Sequence, residues 1–459
     1  VKPLFLLPEN KSERIDMQKQ LHIYLLLLSF TISLIGMGQV KQLSLEEALQ
    51  LAGENNRSAK VSEARQQAAR GSYRMTNSLF LPGLSVSHTG VSTNDPLSAF
   101  GFKLKQEVVT QSDFNPAMLN DPDDIENYST KIELQQPILN VDGIYARKAA
   151  KNQYEAVSLQ AERTRQQIQY EVKKAYFQLE LAQSAVEVLQ QSVNVAKEAL
   201  KLTKDNEAQG FVKHADVLEA SVRMEERQNQ LREANNQLQS ANEFLAHLVG
   251  LDINSRIEPT DSMVEDPTQF TVNYNPGELE NRSDLKAVQK QIEATENMLR
   301  SEKMKFVPRV NAFGSYEWND KEILGTSANN YMVGASLSWD LFSGYKNVGS
   351  VQKASAQLNE ARYNYDDYLS QSQIQLNRAK RKLELTYQQI QSGKLAKEQA
   401  EESLRIRTDR FEQGLEKTTD LLIAEALASK KNLDYIQRIY NYKQAVFELE
   451  LLLEKEINE

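Results

Sequence analysis

Between Ile144 and Gln209 the chain contains neither glycine nor proline, and between Tyr345 and Gln413 it contains two glycines and no proline. At about 1.5 Å rise per residue, each stretch forms a helix of roughly 100 Å, far beyond the three or four turns usual in globular proteins. No single globular domain buries such a rod. Helices of this kind need neighbours along their whole length, from the same chain or from others.

The two stretches belong to a duplication. Asn56-Arg57-Ser58 recurs as Asn281-Arg282-Ser283, and Phe80-Leu81-Pro82 recurs as Phe306-Val307-Pro308, at offsets of 225 and 226 residues. Past the strands the offset drops to 203 or 204, where Leu134 answers Leu337, and Gln209-Gly210 with Asp216 answers Gln413-Gly414 with Asp420. The first copy therefore holds about 22 extra residues between Asp95 and Tyr128, a polar loop with prolines. Insertions confined to a loop are what duplicated units tolerate. The spacing predicts a first repeat over 39–251, a proline-bearing linker over 252–276, and a second repeat over 277–459.

Composition narrows the class. The 459 residues are 40% apolar and 25% charged, with a net charge of −9 and no cysteine. Disulfides and thiolate metal sites are excluded, and the acidic balance argues against nucleic acid as a partner. Residues 1–38 read as an upstream extension followed by a signal peptide that starts at Met17. Lys19 precedes an apolar stretch from Ile23 to Ile35, and Gly36-Met37-Gly38 offers small residues for cleavage near Gln39. An uncleaved anchor over Leu21 to Val40 is the alternative.

Inside the first long helix, Ile168, Val172, Ala175, Leu179, Ala182, Val186, Leu189, Val193, Ala196 and Leu200 follow spacings of four and three. That is a coiled-coil-like seam. The same register gives Leu376, Ala379, Leu383, Thr386, Ile390 and Gly393 in the second. Each long helix is followed, after a glycine turn, by another: Ala215 to Val249, with Leu231, Ala234, Leu238, Ala241, Leu245 and Leu248 as its seam, and Thr419 to Lys455. Shorter helices, Leu45 to Ser78 and Gly277 to Lys305, precede the strand pairs.

The strands alternate. Val310, Ala312, Gly314, Tyr316 and Trp318 oppose Arg309, Asn311, Ser315 and Glu317; Tyr331, Val333, Ala335, Leu337, Trp339 and Leu341 repeat the pattern. One apolar and one polar face suits a barrel wall between lipid and water, and Tyr316, Trp318, Tyr331 and Trp339 suit an interfacial girdle. A soluble sheet covering a core would alternate likewise, but rods of about 100 Å offer no compact core to cover. Four strands cannot close a transmembrane barrel, and open edges are not tolerated in hydrocarbon, so two or more chains must pool their strands.

Several motifs, taken in order, are specific. Leu43-Ser44-Leu45-Glu46-Glu47-Ala48-Leu49 with Asn55-Asn56, Leu81-Pro82-Gly83-Leu84, Val307-Pro308-Arg309-Val310, Trp339-Asp340-Leu341-Phe342-Ser343-Gly344, Gly210 to Ala220, and Leu248-Val249-Gly250-Leu251 resemble the TolC-like outer-membrane efflux protein family. The resemblance covers essentially the whole chain after the signal segment. It implies a fold that is mainly α with transmembrane β: a duplicated protomer of a periplasmic α-barrel that gives four strands to a shared 12-stranded trimeric β-barrel. It further implies a homotrimeric exit duct in the outer membrane that docks on a periplasmic adaptor and an inner-membrane transporter, in tripartite efflux or type I secretion.

The turns between paired long helices should form the inner end of the tunnel. Gly210 and Gly414 there suit helix caps and, by the resemblance, adaptor-docking tips. The resemblance places Asp420 in a ring that constricts the entrance, where symmetry-related carboxylates would repel one another and attract cations. Asp216 is the matching residue of the first copy. Both aspartates equally suit the first turn of a helix. The family's second entrance aspartate falls on Ile423, and its basic partner on Glu416.

No catalytic constellation, metal site or cofactor motif emerges. His22, His88, His214 and His247 are scattered. Ser392-Gly393-Lys394 lacks the rest of a phosphate loop and reads as solvent-facing helix. The alternative to a duct is an exported coiled-coil scaffold or adaptor that stays outside the membrane.

Overall fold

The computed structural model describes residues 40–263 and 276–455. The signal-like segment, His22 and much of the 252–276 linker lie outside these residues.

Each repeat reads helix, strand, strand, long helix, helix. In the first, β1 (Lys41–Leu43), α1 (Leu45–Asn55) and α2 (Arg57–Met75) lead to β2 (Gly83–Thr93). Two short helices, α3 (Pro96–Lys105) and α4 (Pro116–Asn120), separate it from β3 (Ile125–Leu139). Then come α5 (Val141–Ala208), α6 (His214–Val249) and β4 (Ile257–Pro259). The second repeat runs α7 (Ser283–Met304), β5 (Arg309–Asp320), β6 (Ala328–Ser338), α8 (Lys346–Glu412) and α9 (Thr418–Leu453). The long helices α5 and α8 hold 68 and 67 residues.

The expected single helix over Leu45 to Ser78 is two helices. Asn56 is extended (φ −60°, ψ 128°) and caps α2 with its side-chain oxygen, which accepts from Ser58 N and Ala59 N. Its amide nitrogen donates to Leu248 O at 2.8 Å, so one asparagine starts α2 and satisfies the end of α6. Beside it Gly250 lies at φ 73°, and a Cβ there would sit 2.5 Å from the Asn55 side chain. The helix expected from Gly277 starts at Ser283, after a 3-10 turn over Pro276–Asn281. Within the linker, β4 pairs parallel with β1.

The seams are where their spacing puts them. Of the ten positions in α5 all but Val186 are buried, and all six in α8 are. Gly393 therefore faces inward, contrary to a solvent-facing reading of Ser392-Gly393-Lys394: a Cβ would come 2.6 Å from Arg438 Cδ on α9. Helix α5 is the spine, packing on α1, α2, α6, α7 and α9.

The main core lies midway along the rods, where Tyr176, Leu179, Leu245, Leu376, Ile390, Tyr442 and Leu449 are essentially inaccessible. Tyr176 also ties the strand ribbon to the bundle. Its hydroxyl lies 2.8 Å from both Leu43 O and Asp261 Oδ2 and accepts from Thr260 N and Asp261 N at 3.1 Å. Burial pushes this phenol up to about 12. A second network joins the two repeats: Arg163 lies 3.4 Å from Asp284 and 3.1 Å from Glu454, and Ser283 N donates to Glu454 at 2.9 Å. Burial pushes Asp284 up, but bonds from Arg282 and Tyr368 and the charge of Arg163 outweigh it and leave the carboxyl below its ordinary range.

Replacing Tyr176 by Phe removes its bonds to Leu43 O, Asp261 and Thr260 N, while Thr260 N and Leu43 O keep each other at 3.1 Å, so the cost is that of lost hydrogen bonds, about 0.5–1.5 kcal/mol. Thermal unfolding of Tyr176→Phe should show a lowered midpoint; an unchanged midpoint would mean that water satisfies these groups.

Candidate functional site

Strands β2, β3, β5 and β6 form one antiparallel sheet in that order, leaving β2 and β6 as open edges. Their lengths of 11, 15, 12 and 11 residues match or exceed what a tilted membrane strand needs. A register shift between Pro137 and Leu139 accommodates the proline, which cannot donate to the ladder.

The register sorts side chains into two faces. Leu84, Leu134, Gly314 and Val333 stand side by side across the strands, and Val86, Ile132, Tyr316 and Tyr331 form the next row. The opposite face carries Ser87, Lys131, Glu317 and Asn330 in one row and Thr89, Ser129, Asn319 and Ala328 in the next. On the apolar face Leu84, Val86, Tyr331 and Val333 are 66–78% exposed. Nothing among the described residues covers them, so the face is built for another apolar phase or partner.

Of the predicted aromatics, Tyr316 and Trp318 pack edge to face at 4.7 Å near the β5–β6 turn, and Tyr331 lies opposite Tyr316. Trp339 and Leu341 lie beyond β6, which ends at Ser338, and so are not strand residues. The chain turns away there, through Gly344 and Tyr345 in the left-handed region, and Trp339 Nε1 donates to Phe306 O at 2.9 Å. The two tryptophans thus mark opposite ends of the sheet, about 33 Å apart along the strand, since Trp318 pairs with Asn329 and Trp339 follows ten residues later.

At the far end of the rods the two helical turns have the same backbone design. Gly210 (φ 77°) and Gly414 (φ 73°) are left-handed caps. Phe211 N bonds Asn206 O and Leu415 N bonds Arg410 O, both at 2.9 Å, while Gly210 N and Gly414 N reach back three residues, which makes each turn a Schellman motif. Asp216 is the third residue of α6 and accepts from Lys213 N at 3.0 Å; Asp420 holds the same position in α9. Thr203 and Thr418 hydroxyls meet at 2.9 Å and bring the two turns together.

Side chains at the tips differ more than the backbones. Glu416 is gripped by Arg407 at 2.7 Å and Arg410 at 2.8 Å, and Ile423 is 54% exposed. The arginine pair was not singled out from the sequence; its signal is spacing, since Arg407, Arg410 and Glu416 lie within one helix end and its turn. A groove of about 670 Å³ runs along this end of α8 past Leu395, Ile406, Arg407 and Glu416. Deeper in, Arg227 of α6 meets Glu425 of α9 at 3.5 Å, and Glu425 is 4% exposed. Burial raises the Glu425 carboxyl above the ordinary glutamate range, despite Arg227. Among the described residues no group of three or more His, Asp or Glu side chains is placed to hold a metal.

A duplicated rod-and-hairpin protomer with an exposed apolar sheet face and two open edges is the architecture of an outer-membrane channel subunit. The chain belongs to the outer membrane efflux protein family, whose profile matches residues 48–251 and 277–454. Its fold is similar to that of the Campylobacter jejuni CmeC outer membrane channel, with a TM-score of 0.78 at 16% identity, covering 89% of this chain and 85% of that one. It is also similar to a membrane protein from Pseudomonas aeruginosa (TM-score 0.76, 20% identity, 89% and 92% covered). A third is the Vibrio cholerae outer membrane protein VceC (TM-score 0.72, 19% identity, 90% and 97% covered). No curated protein sequence matches.

The raised Glu425 pKa fixes a sign. For an acid whose folded pKa exceeds its unfolded one, the contribution to stability is present below the unfolded pKa and is lost as pH rises through the folded value. Glu425→Gln should therefore raise the unfolding midpoint at pH 8 and lose that advantage towards pH 4, since Arg227 keeps Gln230 as a partner. An equal effect at both pH values would show that Glu425 titrates normally.

Proposed function

We propose that three copies of this chain close one 12-stranded barrel in the outer membrane, with the helices forming a tunnel into the periplasm, as the passive exit duct of a tripartite efflux or type I secretion assembly. The observation that carries this reading is the four-stranded sheet with an exposed apolar face and two open edges, set at the end of rods about 100 Å long. In hydrocarbon each unpaired backbone group costs several kcal/mol, and only closure with sister strands removes the edges. Membership of the efflux family supports the duct, and the reading as a scaffold outside the membrane has no support from it.

The helices offer sister copies a surface as well. Tyr363, Ile374 and Leu385 are exposed at 11-residue spacing along α8, a period that keeps one helix face together over three turns. Drive comes from an inner-membrane transporter through a periplasmic adaptor, which docks at the Gly210 and Gly414 tips and the groove beside Glu416. Asp420, with Asp216 as its counterpart, lines the inner entrance, and adaptor binding opens it by rearranging the second helix of each pair.

Two experiments test this. Val333→Arg places a charge on the lipid face, costing about 2–4 kcal/mol near the midplane, and should deplete heat-modifiable trimer from outer membranes. Asn330→Arg, on the other face opposite Glu317, should assemble normally; equal behaviour of the two variants would reverse or abolish the face assignment. In planar bilayers Asp420→Ala should weaken cation preference and block by divalent ions, and channels identical to wild type in both would remove Asp420 from the entrance.

A further inference from the structure

The residues that enlarge the first repeat do not project away from the sheet. Residues 94–124 leave β2 and return to β3 at the end of the sheet remote from the helices, and they fold back as α3, a 3-10 turn and α4. The segment is a stiff body. Asp95 caps α3 by accepting from Ser98 N at 2.9 Å, Lys103 and Asp113 pair at 2.8 Å, and Phe100 meets Phe114 edge on at 5.6 Å. The Lys103 bond, with help from Thr110, holds the Asp113 carboxyl down at about 2, so the pair persists from mildly acid to neutral pH.

The face on which this body docks is informative. Lys105 reaches Glu317 at 3.3 Å, and Gln106 donates to Glu126 O at 2.8 Å and to Asn127 Oδ1 at 2.9 Å. Asn127 in turn donates to Asn319 Oδ1 at 3.0 Å. Glu317, Asn127 and Asn319 all stand on the polar side of the sheet, and the last two are 3% and 0% exposed beneath the insert. If the apolar side meets lipid, the insert lies inside the barrel wall, at its outer end. Yet its free surface, among polar residues such as Glu107, Gln111 and Asp121, exposes large apolar side chains: Leu97 is 87% exposed, Leu104 52%, Val108 53% and Phe114 60%.

Space inside the barrel decides what meets that surface. Twelve strands at 4.7–4.9 Å spacing and about 40° tilt enclose roughly 24 Å between facing backbones. Three helix-thick bodies of about 10–12 Å fill such a ring and leave no open bore. The neighbours available to each insert there are the inserts of its sister subunits.

We propose that the three inserts of an assembled duct meet on its axis and close the outer mouth, each presenting Leu97, Leu104, Val108 and Phe114 to its sister copies. The inference rests on the trimeric duct proposed above. It adds a second constriction, apolar where the inner entrance is acidic, so the two ends obstruct solutes by different chemistry.

The test uses the full chain in outer membranes and planar bilayers. Replacing residues 96–120 by a short Gly-Ser linker should leave heat-modifiable trimer intact, raise single-channel conductance severalfold and sensitise cells to large antibiotics added from outside. Because the chain has no cysteine, Leu97→Cys provides a single thiol. A short bismaleimide should link Leu97→Cys subunits into dimers, while Leu84→Cys on the opposite face of the wall should not link. A deletion trimer of unchanged conductance, or a Leu97→Cys trimer that yields no dimer, overturns the inference alone. Wild-type chain that never forms a trimer overturns the duct reading beneath it.

Discussion

The unpaired edges of β2 and β6 are the constraint from which the rest follows. Each edge strand presents a row of N–H and C=O groups over 11 residues, and the two edges match in length. In water such edges are an aggregation hazard; in hydrocarbon they are untenable without partners. A chain that exposes Leu84, Val86, Tyr331 and Val333 on one side of the same sheet has no use for water there. The edges therefore set the assembly, and the assembly sets the position of everything else.

How the sheet is held to the rods differs between the copies. At the first corner Asn140 caps α5 through Gly143 N, its amide donates to Leu79 O, and Arg309 clasps the buried Asp142. A Cβ on Gly143 would lie 2.7 Å from Asn140, so the tight exit from β3 needs glycine. At the second corner the chain enters α8 through Gly344 and Tyr345, both left-handed, and leaves Leu341, Phe342 and Tyr345 74–77% exposed. One corner is filled from within the protomer and the other is left open beside the β6 edge. That asymmetry is what a duplicated unit needs if its second half is to be completed by the first half of the next copy.

Much of this was legible because it rests on periodicity. The seams of α5 and α8 and the two faces of the β5–β6 hairpin follow from spacings of three, four and two, which geometry enforces wherever one side is buried or wetted differently. What was not legible rests on single polar side chains. Nothing in the local pattern of Leu45 to Ser78 announces that Asn56 breaks the helix, because its partner, Leu248 O, lies 192 residues away. The same holds for Arg227 and Glu425, and for the docking of residues 94–124 on the polar side of the sheet: length and polarity marked them as a loop, while their position depends on Gln106 and Asn127 meeting. Asp216 and Asp420 stand where spacing placed them, in the first turns of α6 and α9, a position equally suited to a helix cap and to an entrance ring.

The distribution of buried surface along the rods bears on which end can move. Midway, the core contains Tyr176, Phe177, Tyr442 and Phe447 together with many leucines and isoleucines. At the tips the apolar cluster holds seven buried residues, of which Ala196, Ala199 and Ala220 are alanines. Aromatic and branched side chains each remove far more apolar area from water than alanine, so the stabilisation per turn falls steeply towards the tips. The polar contacts there do little to restore it. The pairs of Glu416 with Arg407 and Arg410 involve arginines 41% and 54% exposed, and ion pairs of that kind contribute at most about 1 kcal/mol. The Schellman turns fix the shape of each hairpin end without fixing one hairpin to the other, a task left to Thr203 and Thr418, the small cluster and the buried Arg227–Glu425 contact. Local opening free energies follow such gradients. The rods are therefore firmest midway and looser towards the tips, as they are at the sheet end, where the cluster is only Leu299, Ala354 and Leu358, so a partner binding the tips has only a small free-energy difference to overcome in parting them.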